Sequence, residues 1–183
     1  MKEIVILSGK GGTGKTSVTA ALAHQAALTQ SGRWLLADAD VDAANLALLL
    51  EARATVAEPF VSGAVAVIDR DTCSDCGACE AACRYEALAE IDGHWQVDPI
   101  ACEGCGACLD RCPSEALSLV AQTVGACRRS ETPYGPLQQA HLNPGRENSG
   151  KLVTAVKRRA RAQAEAEGCA GLLVDGPPGI GCP

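Results

Sequence analysis

Aromatic residues make up only 3% of this 183-residue chain, with one Phe and one Met, so its interior has to be built from aliphatic side chains, Ala and Cys. A basic excess is missing as well. The formal net charge is -6, which argues against a nucleic-acid backbone as the main partner, because such binders usually show a net basic face. The local run Lys157-Arg158-Arg159 with Arg161 accordingly reads as a solvated helix face. No apolar stretch approaches the ~18 residues that a membrane span requires. Nothing at the N-terminus resembles a signal peptide, since Lys2 and Glu3 lead straight into a short apolar run. Against these absences stand eleven cysteines and 47% hydrophobic residues. Without an export signal, so many cysteines point to metal rather than to disulfides, and the expected compartment is the reducing cytoplasm. The length suits one ordinary domain plus a small module.

The apolar pattern predicts a buried parallel strand over residues 2–7, an Ala- and Leu-rich helix over 15–28 and a second short strand over 34–37, with Ser31-Gly32 as punctuation. That succession is a βαβ unit and predicts a parallel α/β sheet. A helix is expected over 41–54, with Leu46, Leu49 and Leu50 on its apolar face, and a strand over 61–68. Residues 118–142, rich in Gly, Pro and Thr, read as irregular or hairpin structure. Asn148-Ser149-Gly150 offers a cap for a helix running to about residue 167. A third buried strand over 171–175 closes on "DGPPGIGCP".

Two motifs carry chemistry. The first is "GKGGTGKT", Gly9 to Thr16, which fits G-x-x-x-x-G-K-[ST] between a strand and a helix. Its glycines let backbone N–H groups surround phosphate oxygens at a positive helix N-terminus. Lys15 would bridge the β and γ phosphates and the Thr16 hydroxyl would bind magnesium. The candidate nucleotide-binding residues are Gly9, Lys10, Gly11, Gly12, Thr13, Gly14, Lys15, Thr16 and Ser17.

The second motif is an internal repeat: "CSDCGACEAACRYEAL" at Cys73 returns as "CEGCGACLDRCPSEAL" at Cys102, displaced by 29 positions. C-x2-C-x2-C-x3-C twice over is the pattern of a two-cluster bacterial ferredoxin, in which the fourth cysteine of each run reaches the other cluster. Cys73, Cys76, Cys79 and Cys112 would bind one [4Fe-4S] cluster, and Cys102, Cys105, Cys108 and Cys83 the other. Zinc is the competing reading, because paired C-x2-C steps also hold zinc. The second run ends in the usual Cys112-Pro113 and the first in Cys83-Arg84, a departure expected to alter the local turn and the potential of its cluster. Of the other cysteines, Cys169 reads as a core residue and Cys127 stays unassigned.

"KGGTGKT", with its extra lysine, resembles the deviant Walker motif of the MinD/ParA class of ATPases, which includes the nitrogenase iron protein and the Mrp-type cluster carriers. "DADVDAANL" is similar to the first switch of that class and "VDGPPGIG" to the second, and "NPGRENSGKLV" resembles a family stretch before the long helix. The resemblance implies that Lys10 reaches across an ATP-dependent homodimer to the partner's nucleotide. It implies that Asp38 holds magnesium through water, that Asp40 orients the attacking water, and that Asp175 is the Walker B-like carboxylate, with Gly176 and Gly179 letting the second switch move. Cys182, seven positions after Asp175, matches a cysteine that ligates a shared cluster in the nitrogenase iron protein. It is a candidate for a third cluster, with a packed apolar side chain as the plain alternative.

The expected architecture is an α/β P-loop NTPase sheet (residues 1–60 and 121–183) with an inserted ferredoxin-like α+β module (61–120). Relatives of this kind continue for about a hundred more residues, so the chain is expected to be a fragment or to have an incomplete ATPase site. The expected function is an ATP-dependent iron-sulfur protein using ATP, Mg2+ and two [4Fe-4S] clusters. It would couple hydrolysis to electron transfer or metallocluster delivery to a partner metalloprotein or other electron acceptor. The alternative is a ferredoxin-type electron-transfer module on an inactive P-loop scaffold.

Overall fold

A computed structural model describes the chain except for residues 30–31, 146–148 and 180–183. Eleven elements follow in order: β1 (Lys2–Ser8), α1 (Lys15–Leu28), β2 (Trp34–Asp38), α2 (Leu46–Leu49), β3 (Arg53–Ile68), β4 (Leu88–Ile91), β5 (His94–Val97), β6 (Leu117–Thr132), β7 (Gly135–Leu142), α3 (Ser149–Ala166) and β8 (Gly171–Pro178). The main sheet has the order β1-β8-β2-β7-β6-β3. It is parallel from β1 through β8 and β2 to β7, and β6 then runs antiparallel to β7. The chain divides into two compact units, residues 1–60 with 125–183 and residues 61–124, and β3 and β6 each have residues in both.

In the first unit, alternation along the strands decides which helix each residue meets. Leu36, Leu137 and Leu173 lie in register and form one apolar layer with Ala23 of α1 and with Leu46 and Leu50. On the other side Leu35, Ala37, Ala140, Leu172 and Val174 pack with Leu152, Val153, Val156, Ala160 and Ala164, a stripe along α3. Two members of the basic run on α3 are tied down: Arg161 forms a two-pronged pair with Glu3, both contacts 2.9 Å, and Arg159 pairs with Glu58. They are therefore not simply the solvated face expected from charge alone.

Three other expectations change. The strand over 2–7 is not buried: β1 is the first strand of the sheet and pairs with β8, leaving Ile4 at 42% and Leu7 at 61% exposure. The helix expected over 41–54 shrinks to the single turn α2, because the Asp38 carboxylate accepts the N–H groups of Asp40 (3.1 Å) and Leu46 (3.0 Å) and so holds the preceding loop in a non-helical path. Leu46 and Leu50 are buried as expected, whereas Leu49 is exposed. From Arg53 the chain is already extended in β3. Residues 118–142 take the hairpin alternative, as β6 and β7 joined through Pro133-Tyr134. The Asn148 cap and Ser31 lie outside the described residues.

The second unit, residues 61–124, contains strands and turns and no helix, so the α+β expectation for this segment is not matched. β4 and β5 form an antiparallel hairpin across Asp92-Gly93, both at positive φ (54° and 80°), as a tight two-residue turn requires. Ala66, Leu88, Cys108 and Leu117 are its buried centre, and Cys79, Cys83, Cys102 and Cys112 pack against them. Thiols thus occupy places that aliphatic side chains fill in an ordinary core.

The β6–β7 turn gives a test of the fold. Gly135 has φ of 135°, and a Cβ there would lie 2.2 Å from the backbone oxygen of Trp34. Gly135→Ala should therefore cost about 2 kcal/mol or more, since strain and a backbone clash add. A thermal midpoint equal to that of the wild type would contradict this packing.

Candidate functional site

At the end of β1 the chain turns through Gly12 and Gly14, both at positive φ (75° and 87°), and enters α1 at Lys15. Ser8 Oγ donates to the carbonyl of Lys10 at 2.8 Å and Thr13 Oγ1 donates to the same oxygen at 3.3 Å, which fixes the curl of the loop. No atom lies within 4 Å of a Cβ built on Gly9, Gly11, Gly12 or Gly14, so the space over the loop is open. Lys15 is buried, Thr16 half-buried, and Lys10 and Ser17 are exposed.

Asp38 closes β2 and lies in register with Asp175 of β8, so the two carboxylates stand on neighbouring strands about 5 Å apart along the backbone and on one sheet face. Both are fully buried. Burial pushes the Asp38 carboxyl up to about 7, against the hydrogen bond from Leu46, and the charge of Asp175 adds to the rise. Asp175 Oδ1 accepts the Thr19 hydroxyl at 3.3 Å, while Oδ2 has no partner among the described residues. Two adjacent buried acids with an orphaned oxygen form an anionic pocket that a divalent cation would satisfy, so this donor set fits magnesium. Asp40 is half-buried on the loop that follows. Its carboxyl is raised by burial, lowered by Lys15 and raised by Asp175, which places all three in one electrostatic neighbourhood. Beyond Asp175, the Gly179 N–H donates to the Ser8 carbonyl at 2.9 Å, joining the end of β8 to the start of the glycine loop. At Gly176 a Cβ would meet Leu7 at 2.5 Å, so that glycine permits close strand packing. Cys182 lies outside the described residues.

Two contributors were not found from sequence. Thr19 is one helical turn after Lys15, and its hydroxyl also donates to the Lys15 carbonyl at 2.9 Å; the i, i+4 spacing on α1 was the available signal. Gln139 is in register with Asp38, 4% exposed, with Oε1 unpartnered among the described residues. Local composition of this segment carries no signal of its register with β2.

In the second unit one cavity is walled by Cys83, Cys102, Cys105 and Cys108, together with Leu88, Val97 and Leu119. Burial pushes the Cys79 thiol up, and the neighbouring charges of Cys112 and Cys73 push it further; Cys108 is raised by burial and then by Cys102, Cys105 and Cys79. Cys83 thus shares a cavity with Cys102, Cys105 and Cys108, and Cys112 and Cys73 act on Cys79. Each fourth sulfur accepts the N–H of the residue four positions on, Ala87 to Cys83 at 3.4 Å and Ala116 to Cys112 at 3.3 Å, and Ala66 donates to Cys102 at 3.4 Å. Among the described residues no three His, Cys, Asp or Glu side chains converge as ligands of a single metal ion. A cubane takes one thiolate on each iron, so its ligands surround a volume instead of a point, and the eight thiols fit that demand in kind and number. The turn within each C-x2-C step needs positive φ: Gly104 has 64°, and a Cβ there would meet the Ala64 carbonyl at 2.1 Å. Its counterpart Asp75 has 50° and is held by Arg70, His94 and the Trp95 N–H. Cys127 and Cys169 are buried in the α3-side core.

Among the described residues no helix is long and apolar enough to cross a membrane.

Removing the Asp38 charge tests the paired acids. An acid raised in the folded state adds stability below its unfolded value near 4, and that stability is lost as pH climbs to about 7. Metal-free protein should lose at most about 1.4 kcal/mol per pH unit from this group over that range. Asp38→Asn should flatten the slope of thermal midpoint against pH, and an unchanged slope would show that Asp38 is not raised. The lysines provide a second test: Lys15→Ala should weaken nucleotide binding at least tenfold, whereas Lys10→Ala should leave binding by the monomer within about threefold. Equal losses by equilibrium dialysis would make Lys10 an ordinary loop contact.

The comparisons with known proteins agree with this geometry. Residues 4–177 match the CobQ/CobB/MinD/ParA nucleotide binding domain. The chain is also 34% identical over 181 residues to "Uncharacterized protein MJ0578" of Methanocaldococcus jannaschii, a match covering 99% of this chain and 61% of that protein. The chain therefore spans about 61% of the length of the curated relative it matches.

Proposed function

The chain belongs to the CobQ/CobB/MinD/ParA nucleotide-binding family, and from that premise we propose that it is an ATP-dependent switch coupled to iron-sulfur chemistry. Nucleotide state would gate delivery of electrons, or of a metallocluster, to a partner metalloprotein. The observation that carries the reading is one cavity bounded by Cys83 from one run and by Cys102, Cys105 and Cys108 from the other, the mixing of runs that a two-cluster ferredoxin would need. Bound there and at Cys73, Cys76, Cys79 and Cys112, [4Fe-4S] clusters would supply one-electron storage.

The protein's own groups then divide the work. Backbone N–H groups of the glycine loop and Lys15 hold the phosphates of ATP. Thr16 and the acids Asp38 and Asp175 would hold Mg2+, and Asp40 would orient the attacking water. Lys10, exposed beside the loop, serves the nucleotide of a second copy, so that ATP favours a homodimer. Thiol-filled cores suit a segment that folds around its metal.

Anaerobically isolated protein should contain roughly eight irons and eight sulfides per chain, as two cubanes require. Its ATP turnover should differ between oxidised and reduced protein. Stoichiometric zinc with little iron would overturn the cluster reading, while full iron with redox-independent turnover would favour the electron-transfer module on an inactive scaffold.

A further inference from the structure

The second unit carries eleven Asp and Glu against three Arg and no Lys. Where those three cations stand is informative. Arg70 is paired with Asp75 at 3.4 Å. Arg84 and Arg111 have no ion pair or hydrogen bond among the described residues, both are exposed, and both line one open groove. The same groove is lined by Cys83 and the exposed Cys105, by Tyr85 at 50% exposure, and by one acid, Asp110. Its volume is about 730 Å³.

The internal repeat shows that this positive spot is not a by-product of the cysteine framework. Displacement by 29 positions places Arg84 over Pro113, Arg111 over Ala82 and Tyr85 over Ser114. Each repeat contributes one arginine where the other has an uncharged residue, and the two meet beside the same pair of thiols. The positions equivalent to the two arginines, Pro113 and Ala82, bring no cation. Among the described residues, the two unpaired arginines of this acidic unit therefore line the same groove as Cys83 and Cys105.

We infer that the Arg84–Arg111 groove is the docking surface for an acidic one-electron redox protein, exchanging electrons with the cluster of Cys83, Cys102, Cys105 and Cys108. This rests on the reading of those cysteines as cluster ligands. Opposite charge steers encounter and orients the partner, and the surrounding acids repel any approach that misses the groove. A small contact suffices, because redox encounters are transient and bury little area. In the transfer itself one electron leaves the reduced cluster, which becomes oxidised by one unit, and the acceptor gains it.

The experiment uses the anaerobically purified chain with an acidic flavodoxin as probe and basic cytochrome c as contrast. Binding of oxidised flavodoxin is titrated at low and high salt for the wild type, for Arg84→Ala with Arg111→Ala, and for the double change to Glu. Rates of reduction of both acceptors are followed by stopped flow. The Ala variant should bind flavodoxin at least about tenfold more weakly at low salt and lose most of the salt dependence. The Glu variant should bind it more weakly still, while cytochrome c reduction is unchanged or faster. Iron content and the reduced-cluster EPR signal should equal those of the wild type. Unchanged flavodoxin binding with a normal EPR signal would overturn the docking surface alone. Wild-type protein devoid of iron and of any cluster signal would instead overturn the cluster reading and this inference with it.

Discussion

The first unit depends on two buried carboxylates that share one sheet face. Asp38 ends β2 beside Asp175 on the adjacent parallel strand β8, and burial together with the charge of Asp175 raises the Asp38 carboxyl. Asp38 spends both oxygens on backbone N–H groups of the following loop, so the path of residues 39–46 is tied to its protonation state. Asp175 anchors α1 through Thr19 and leaves one oxygen for a cation. The glycine loop follows β1, on the far side of β8 from β2, and is joined to the end of β8 through Gly179. A phosphate chain with its metal would complete the charge balance of this arrangement, which gives nucleotide binding leverage over both loops.

The cysteine unit has a comparable dependence, on thiols in place of acids. Its buried centre is four residues ringed by cysteines, and its C-x2-C turns are held by two different devices, a glycine that tolerates no Cβ and an aspartate clamped by Arg70 and His94. The two repeats are thus unequal in their turns as well as in their surface charge.

Motifs that demand particular residue types were legible in the sequence, and long-range consequences of sheet order were not. The glycine loop, βαβ succession, α3 and the doubled cysteine runs could be read because each rests on local spacing. The exposure of β1 could not, since an apolar run gives no information about whether a strand is central or at an edge. The helix over 41–54 was over-read because Leu46, Leu49 and Leu50 look helical, whereas the deciding group, the Asp38 carboxylate, lies eight residues before Leu46. Gln139 escaped for the same reason: its importance comes from register with Asp38, which exists only once β7 is placed beside β2.

The central claim, that nucleotide state governs the iron-sulfur module, is tested most directly by redox titration of the clusters with MgATP, with MgADP and without nucleotide, followed by EPR. The account predicts that MgATP shifts the midpoint potential or the EPR line shape of at least one cluster relative to MgADP. Identical potentials and spectra in all three states, with nucleotide binding verified in the same samples, would contradict it.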